Sequence, residues 1–242
     1  MKRALLTTGI MLLSFSAHAG TLTLDFRTAT GANSGSGLGN VRTFNVGGIT
    51  ITETAWGANS NSNTLQAAQL GLWSGYGLGV CNQQEAANCS SPNHQVSNEN
   101  GTDFVLFQFS TAVNPISVTI RPYGTFDRDV TYFTGNAANN LNLSGTSLSG
   151  LGALGFSAAV NDDSSVSSSA RTVSLISNSA NSLLFGARSG GDANPDYFKI
   201  AGLTLDTIPP AAGGQTPEPA TFGLIGSALV ALALATKRLR KI

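Results

Sequence analysis

The run Asp103-Phe104-Val105-Leu106-Phe107-Gln108-Phe109 constrains the fold more than any other stretch between residues 20 and 216. It is the most apolar segment there, and its large side chains do not alternate with polar ones. A central strand buried on both faces is therefore predicted. Around it the pattern becomes alternating. Leu22, Leu24 and Phe26 share one face of the segment 21–27. Segments 41–46 and 49–55 flank Gly47-Gly48 and read as a hairpin. Ile116, Val118 and Ile120 alternate after Pro115, which is expected at the first position of that strand, where a missing N–H matters least. Segments 129–133 and 197–206 are also strand-like, and 171–176 with 182–187 reads as a second hairpin. Residues 56–64 are expected to be a polar loop, and 65–72 (LQAAQLGL) one or two helical turns or an irregular surface segment. The leucines at 141, 143, 148, 151 and 154 are expected to pin a loop or weak strand onto the core. Nine or ten short strands with turn residues between them predict an all-β chain, a β-sandwich of jelly-roll type, with first and last strands paired.

Composition agrees. Charged residues make up 11% of the chain and glycine contributes 28 residues, as in short strands joined by turns and solubilised by neutral polar groups.

Both ends differ from this interior. Met1-Lys2-Arg3, an apolar stretch from Ala4 to Phe15 and the small-x-small site Ala17-His18-Ala19 form a secretory signal peptide, residues 1–19, with cleavage expected between Ala19 and Gly20. The exported β domain is expected over 20–206. Residues 207–216, with Pro209-Pro210 and Gly213-Gly214, read as a semi-extended linker. Then come Pro217-Glu218-Pro219, an uncharged apolar run over 220–236, and the basic residues Lys237, Arg238, Arg240 and Lys241. Seventeen helical residues rise about 25 Å, just enough to span a bilayer if the basic side chains snorkel. The basic end is expected to stay cytoplasmic, which leaves everything before Pro217 on the far side.

In that order and spacing the three parts of the tail resemble the PEP-CTERM sorting signal of Gram-negative bacteria, over about a tenth of the chain. The resemblance implies that exosortase, a membrane-embedded transpeptidase-like enzyme, is a partner, and that the protein is associated with exopolysaccharide and biofilm. It implies an inner-membrane-anchored precursor that later reaches the cell surface or the medium. A second resemblance lies in the midsection. Gly77-Leu78-Gly79-Val80, His94-Gln95-Val96-Ser97-Asn98 and the strand after Gly101 resemble exported domains of exosortase substrates, with Ser97 standing where an acid is expected. This second resemblance implies a shared fold and no activity.

Charge excludes one class of partner. Of 13 basic residues, two leave with the signal and four sit in the tail; seven remain against twelve acidic ones, a net of about −5 with Lys199 the sole lysine. No electrostatic footprint for nucleic acid exists. Cys81 and Cys89, the only cysteines, are expected to form a disulfide in an oxidising compartment, closing a loop with a stabilisation of about 2.5 kcal/mol. His94 is the single histidine after processing, and no G-x-S-x-G elbow accompanies it; it is expected to hydrogen-bond a loop backbone beside the disulfide.

Asp127 and Asp129, with Asp103 or Glu99, are candidate calcium ligands, with a turn counter-charged by Arg128 as the other reading. Asp192 and Asp196 invite the same two readings. Trp56, Trp73 and Tyr76 are candidates to stack on sugar rings; Trp73 and Tyr76, beside Gly75 and Gly77, equally suit plugging a loop. The expectation is a structural or adhesive surface protein without catalytic activity and without a cofactor. Its rivals are a calcium-dependent carbohydrate-binding module and a glycan-active enzyme on the same tail.

Overall fold

The structure, a computed structural model, describes residues 20–208 except 86–88, 90–93, 177 and 191–193. The expected signal peptide, most of the linker, the Pro217-Glu218-Pro219 motif, the apolar run and the basic tail lie outside the described residues. Among the described residues no helix is long and apolar enough to cross a membrane.

The chain is all-β. In order it forms β1 (Thr21–Asp25), β2 (Ala32–Asn33), β3 (Val41–Val46), β4 (Ile49–Ala58), β5 (Leu65–Trp73), β6 (Gly77–Cys81) and β7 (Val96–Ser97). Then follow β8 (Thr102–Pro122), β9 (Val130–Gly135), a 3₁₀ helix (Leu148–Leu154), β10 (Val160–Asp162), β11 (Arg171–Ser174), β12 (Ala180–Ala187) and β13 (Tyr197–Thr207). Hydrogen bonds link all thirteen strands.

β8 organises them. Its first half, from Thr102 to Phe109, lies between β4 and β12. Its second half lies between β13 and β11. Val105, Phe107 and Phe109 from the first half and Val113, Val118 and Ile120 from the second enter the same core. Inward residues are odd-numbered before Pro115 and even-numbered after Ser117, so the strand must gain a residue between them. It does: Leu205 faces Pro115 and Thr204 faces Ser117, which leaves Ile116 as the extra residue of a bulge. Pro115 thus sits inside a strand at a bulge, not at a strand's first position, and there its missing N–H is tolerated.

The other face of the first half is also covered, as the apolar run requires. Phe104 and Leu106 pack with Leu143, Leu151 and Phe156, and Leu141, Leu148 and Leu154 close the margin. Gln108, buried on that same face, fastens the cover: its amide donates to the Ala138 carbonyl (2.7 Å) and accepts from the Leu141 N–H (3.0 Å).

The hairpin of β3 and β4 forms around Gly47 and Gly48, whose φ of 55° and 80° suit the two-residue turn that matches strand twist. β1 and β13 pair over five residues. Three expectations are corrected. Residues 65–72 are neither helical nor irregular but most of β5, held between β4 and β6. Pairing with β4 along 65–68 and with β6 along 69–73 outweighs the weak strand preference of their Ala and Gln residues. The polar loop starts after Ala58, because Trp56 is buried in β4. Finally, β11 and β12 do not pair as a hairpin; each pairs with a different half of β8.

Candidate functional site

The two midsection motifs meet at one place. β6 carries Gly79 beside Lys199 of β13, since Leu78 is in register with Ile200. A Cβ on Gly79 would collide with the His94 carbonyl and with Lys199 Nζ. Only glycine allows both groups this close, which gives the Gly-Leu-Gly-Val element a physical role. Lys199 Nζ donates to the His94 carbonyl and to His94 Nδ1 (2.6 Å), and it lies 3.6 Å from the Trp73 ring centroid. The His94 ring stacks on the same indole at 4.6 Å. Nδ1 also accepts from the Gln95 amide (3.3 Å), which assigns the proton of neutral His94 to Nε2.

Lys199 is buried, and loss of water pushes its ammonium down to about 6, with the Asp103 and Glu85 carboxyls pulling it back up. Those two carboxyls form the inner end of the same network. Asp103 accepts from the Asn82 amide (2.8 Å) and the Ser97 N–H (3.2 Å). Glu85 accepts from the Asn82 N–H (3.0 Å). The Ser97 hydroxyl lies 3.4 Å from each carboxyl. Burial raises Asp103 well above the carboxylate range, and Glu85 adds to that. Burial likewise raises Glu85 to about 7. Ser97, standing where the resemblance expects an acid, therefore bridges two acids supplied from elsewhere in the sequence. Asn98 instead clamps Asp196: its amide donates to Asp196 Oδ2 (2.8 Å), and the Asp196 N–H donates to Asn98 Oδ1 (2.8 Å). Beside this network Cys81 and Cys89 are disulfide-bonded with a Cα–Cα distance of 5.6 Å.

A cleft of about 380 Å³ opens above Lys199, lined by Trp73, Tyr76, His94, Arg121 and Tyr123 among others. Arg121 donates to the Gly75 carbonyl (2.8 Å) and lies 5.8 Å from the Tyr76 ring centroid. A larger cleft of about 630 Å³, near Gly135, Phe156 and Ile176, has no charged side chain in its lining and offers nothing for specific chemistry.

The other candidates are placed as follows. Trp56 is buried with its indole N–H on Thr54 (2.9 Å), so it is no sugar platform. Trp73 is covered by His94 and Lys199 and forms the floor of the cleft, whereas Tyr76 is exposed at its rim. Asp127 accepts the Arg128 N–H (2.9 Å), Asp129 accepts the Ser164 N–H, and the Asp129 N–H donates to Asp196 (2.8 Å). Glu99 accepts from the Tyr197 hydroxyl. Asp103 is bonded to Asn82 and Ser97. Among the described residues no three His, Cys, Asp or Glu side chains come together as a metal-holding group. Asp192 lies outside the described residues.

No protein-family model, curated protein or solved structure matches this chain.

The sequence marks Trp73, Tyr76 and His94. It does not mark Arg121 as a site residue, and Lys199 stands out only as the sole lysine. The usable signal was Lys199 itself, a single lysine set between Phe198 and Ile200 in a buried strand, where an ammonium calls for a purpose.

Proposed function

We propose that this chain is an exported surface or extracellular-matrix protein, sorted by exosortase through the signal at 217–242 and structural or adhesive in an exopolysaccharide layer. Its β domain is a jelly-roll-like sandwich without catalytic activity of its own. The observation that carries this reading is the clasp between the ends of the fold. The Gly20 N–H donates to Thr207 Oγ1 (2.8 Å), and the Thr207 N–H donates to the Gly20 carbonyl (3.0 Å). The clasp joins the residue expected to follow signal cleavage to the first residue of the expected linker. The Cys81–Cys89 disulfide supports the same direction, since such bonds persist in oxidising compartments.

The test is fractionation of cells with and without exosortase, using one tag on the β domain and one after Ile242. Wild type is expected to lose the terminal tag and move outward only when the enzyme is present. The triple variant Pro217→Ala, Glu218→Ala, Pro219→Ala is expected to remain full length in the inner membrane. If wild type keeps both tags on one inner-membrane polypeptide in cells that have exosortase, the sorting reading falls. Of the alternatives, carbohydrate binding is favoured by one observation, the aromatic rim of the cleft above Lys199.

A further inference from the structure

Most basic residues of the β domain have visible partners. Arg27, Arg171 and Arg188 form ion pairs with Asp25, Asp162 and Asp163. Arg42 stands across a strand pair from Glu53. Arg128 donates to the carbonyls of Ser165 and Ser169. Arg121 and Lys199 likewise donate to carbonyls, those of Gly75 and His94, but they are direct cross-strand neighbours on β8 and β13. Among the described residues no carboxylate forms an ion pair with either. Two basic residues placed opposite each other add nothing to the stability of a sheet. Both side chains line the one cleft, and its lining contains no acid. On a domain carrying about −5 overall, this spot is reserved for the opposite sign.

The rim supplies the second half of the argument. Tyr76 and Tyr123 are 60% and 44% exposed, two of only six large hydrophobic side chains exposed among the described residues. They flank the same opening. An acidic peptide would meet the charge but offer the tyrosines no rigid ring face. A neutral saccharide would offer the ring face but leave the guanidinium without a counter-charge.

We propose that this cleft binds a carboxylate-bearing saccharide, a glycan containing uronic acid residues. The uronate carboxylate meets Arg121, and the C–H face of the ring lies against Tyr76 and Tyr123. Arg121 provides the charge, and Lys199, whose other two N–H groups are held by His94, offers a third at the floor when a bound carboxylate keeps it protonated. The proposal rests on the carbohydrate-binding reading and is independent of how the chain is sorted. A binding experiment in vitro and the fractionation above can therefore fail separately.

The test is calorimetric titration of the full chain, in buffer containing EDTA, with tetragalacturonate, maltotetraose and tetraglutamate. Tetragalacturonate is expected to bind, with affinity falling as salt is raised. Arg121→Gln is expected to weaken it by roughly tenfold or more, as loss of a charge partner does. Tyr76→Ala is expected to weaken it by about fivefold. Circular dichroism of both variants, whose substituted side chains lie at the surface, checks that the fold is intact. Equal affinity for maltotetraose, equal affinity for tetraglutamate, or tetragalacturonate binding unchanged by Arg121→Gln in a folded variant would each overturn the proposal. So would tetragalacturonate binding that appears only after calcium is added.

Discussion

Asp103 and Glu53 project into the same layer of the core from neighbouring strands, and the chain treats them in opposite ways. By alternation Asp103 shares a face of β8 with Val105 and Phe107, and Glu53 shares a face of β4 with Ile51 and Ala55. Glu53 is in register with Phe107, and Asp103 with Gly57. Both carboxyls are fully buried. Asp103 has the Asn82 amide, the Ser97 N–H and the Ser97 hydroxyl. Room for Asn82 exists because Gly57 has no side chain, where a Cβ would collide with it. Glu53 has no hydrogen-bond partner for either oxygen among the described residues, and Arg42, its cross-strand neighbour, leaves Nε unpaired as well. Burial raises both carboxyls well above the usual range; for Glu53 the Arg42 charge opposes the shift. A buried acid with donors built around it organises a site, and one without them is a burden on the fold.

The largest effect should come from removing the satisfied acid. Asp103→Leu strands one backbone and two side-chain donors in the core, and urea denaturation is expected to show a loss of about 3–5 kcal/mol. Asp103→Asn keeps an acceptor and is expected to lose only about 1–2 kcal/mol. Equal losses for the two variants would mean that volume, not hydrogen bonding, explains Asp103.

How far this contrast was legible in sequence differs between fold and site. The central strand at Phe104–Phe109 was legible because its own side chains need cover on both faces, whatever covers them. The turn at Gly47-Gly48 was legible for a similar local reason. Residues 65–73 were not, because Gln66, Ala67, Ala68 and Gln69 have no strand preference of their own and are held by β4 along 65–68 and by β6 along 69–73. Nor was the union of 102–109 with 113–122 into one strand, since Ser110-Thr111-Ala112 interrupts the apolar pattern between them. The site was legible only in its aromatic parts. Trp73 and Tyr76 announce themselves, but Arg121 matters only beside Lys199, and Glu85 only beside Ser97 and Asp103. Such meanings arise from register between distant strands, which local pattern does not encode.

Glu85 offers an intermediate test, because it is partly satisfied and partly exposed. Its carboxyl is raised to about 7 in the fold, so the native state holds a proton that the unfolded chain has released above its ordinary 4.5. That contribution is complete below pH 4.5 and disappears as pH rises through 7. Lys199 acts in the opposite sense. Depressed to about 6, it releases a proton on folding, and stability gains from it as pH rises from 6 towards 10.5. Glu85→Gln removes the first slope and leaves Lys199, depressed mainly by burial, to supply the second. From pH 4.5 to 8 the variant is therefore expected to gain on wild type by about 1–2 kcal/mol, the figure being reduced for the solvent that reaches this side chain. Parallel stability curves for the two proteins across that range would show that Glu85 titrates in the fold as it does in the unfolded chain.

The smallest effect, and the sharpest on the comparison, belongs to Glu53. Replacing an unsatisfied buried carboxyl by an apolar group of similar length removes a desolvation penalty and breaks no hydrogen bond seen among the described residues. Glu53→Met is expected to stabilise the protein by about 1 kcal/mol at neutral pH, where wild type must keep a proton on Glu53 or bury a charge. The direction of the pH dependence follows from the raised carboxyl. Wild type is at its best relative to the variant below pH 4.5, where folded and unfolded chains both carry the proton, and it falls behind as pH rises. Arg42 limits the gain, because its guanidinium loses the one negative charge that faces it. The double variant Glu53→Met, Arg42→Leu removes that residue of cost, and it is expected to exceed the single variant at pH 7 if the two side chains act as an unsatisfied pair. Thermal denaturation of wild type, single and double variants at pH 4.5 and pH 8 decides the matter. A loss of about 2 kcal/mol or more in the single variant at pH 8 would show that Glu53 is held by partners as firmly as Asp103, and the contrast between the two acids would collapse.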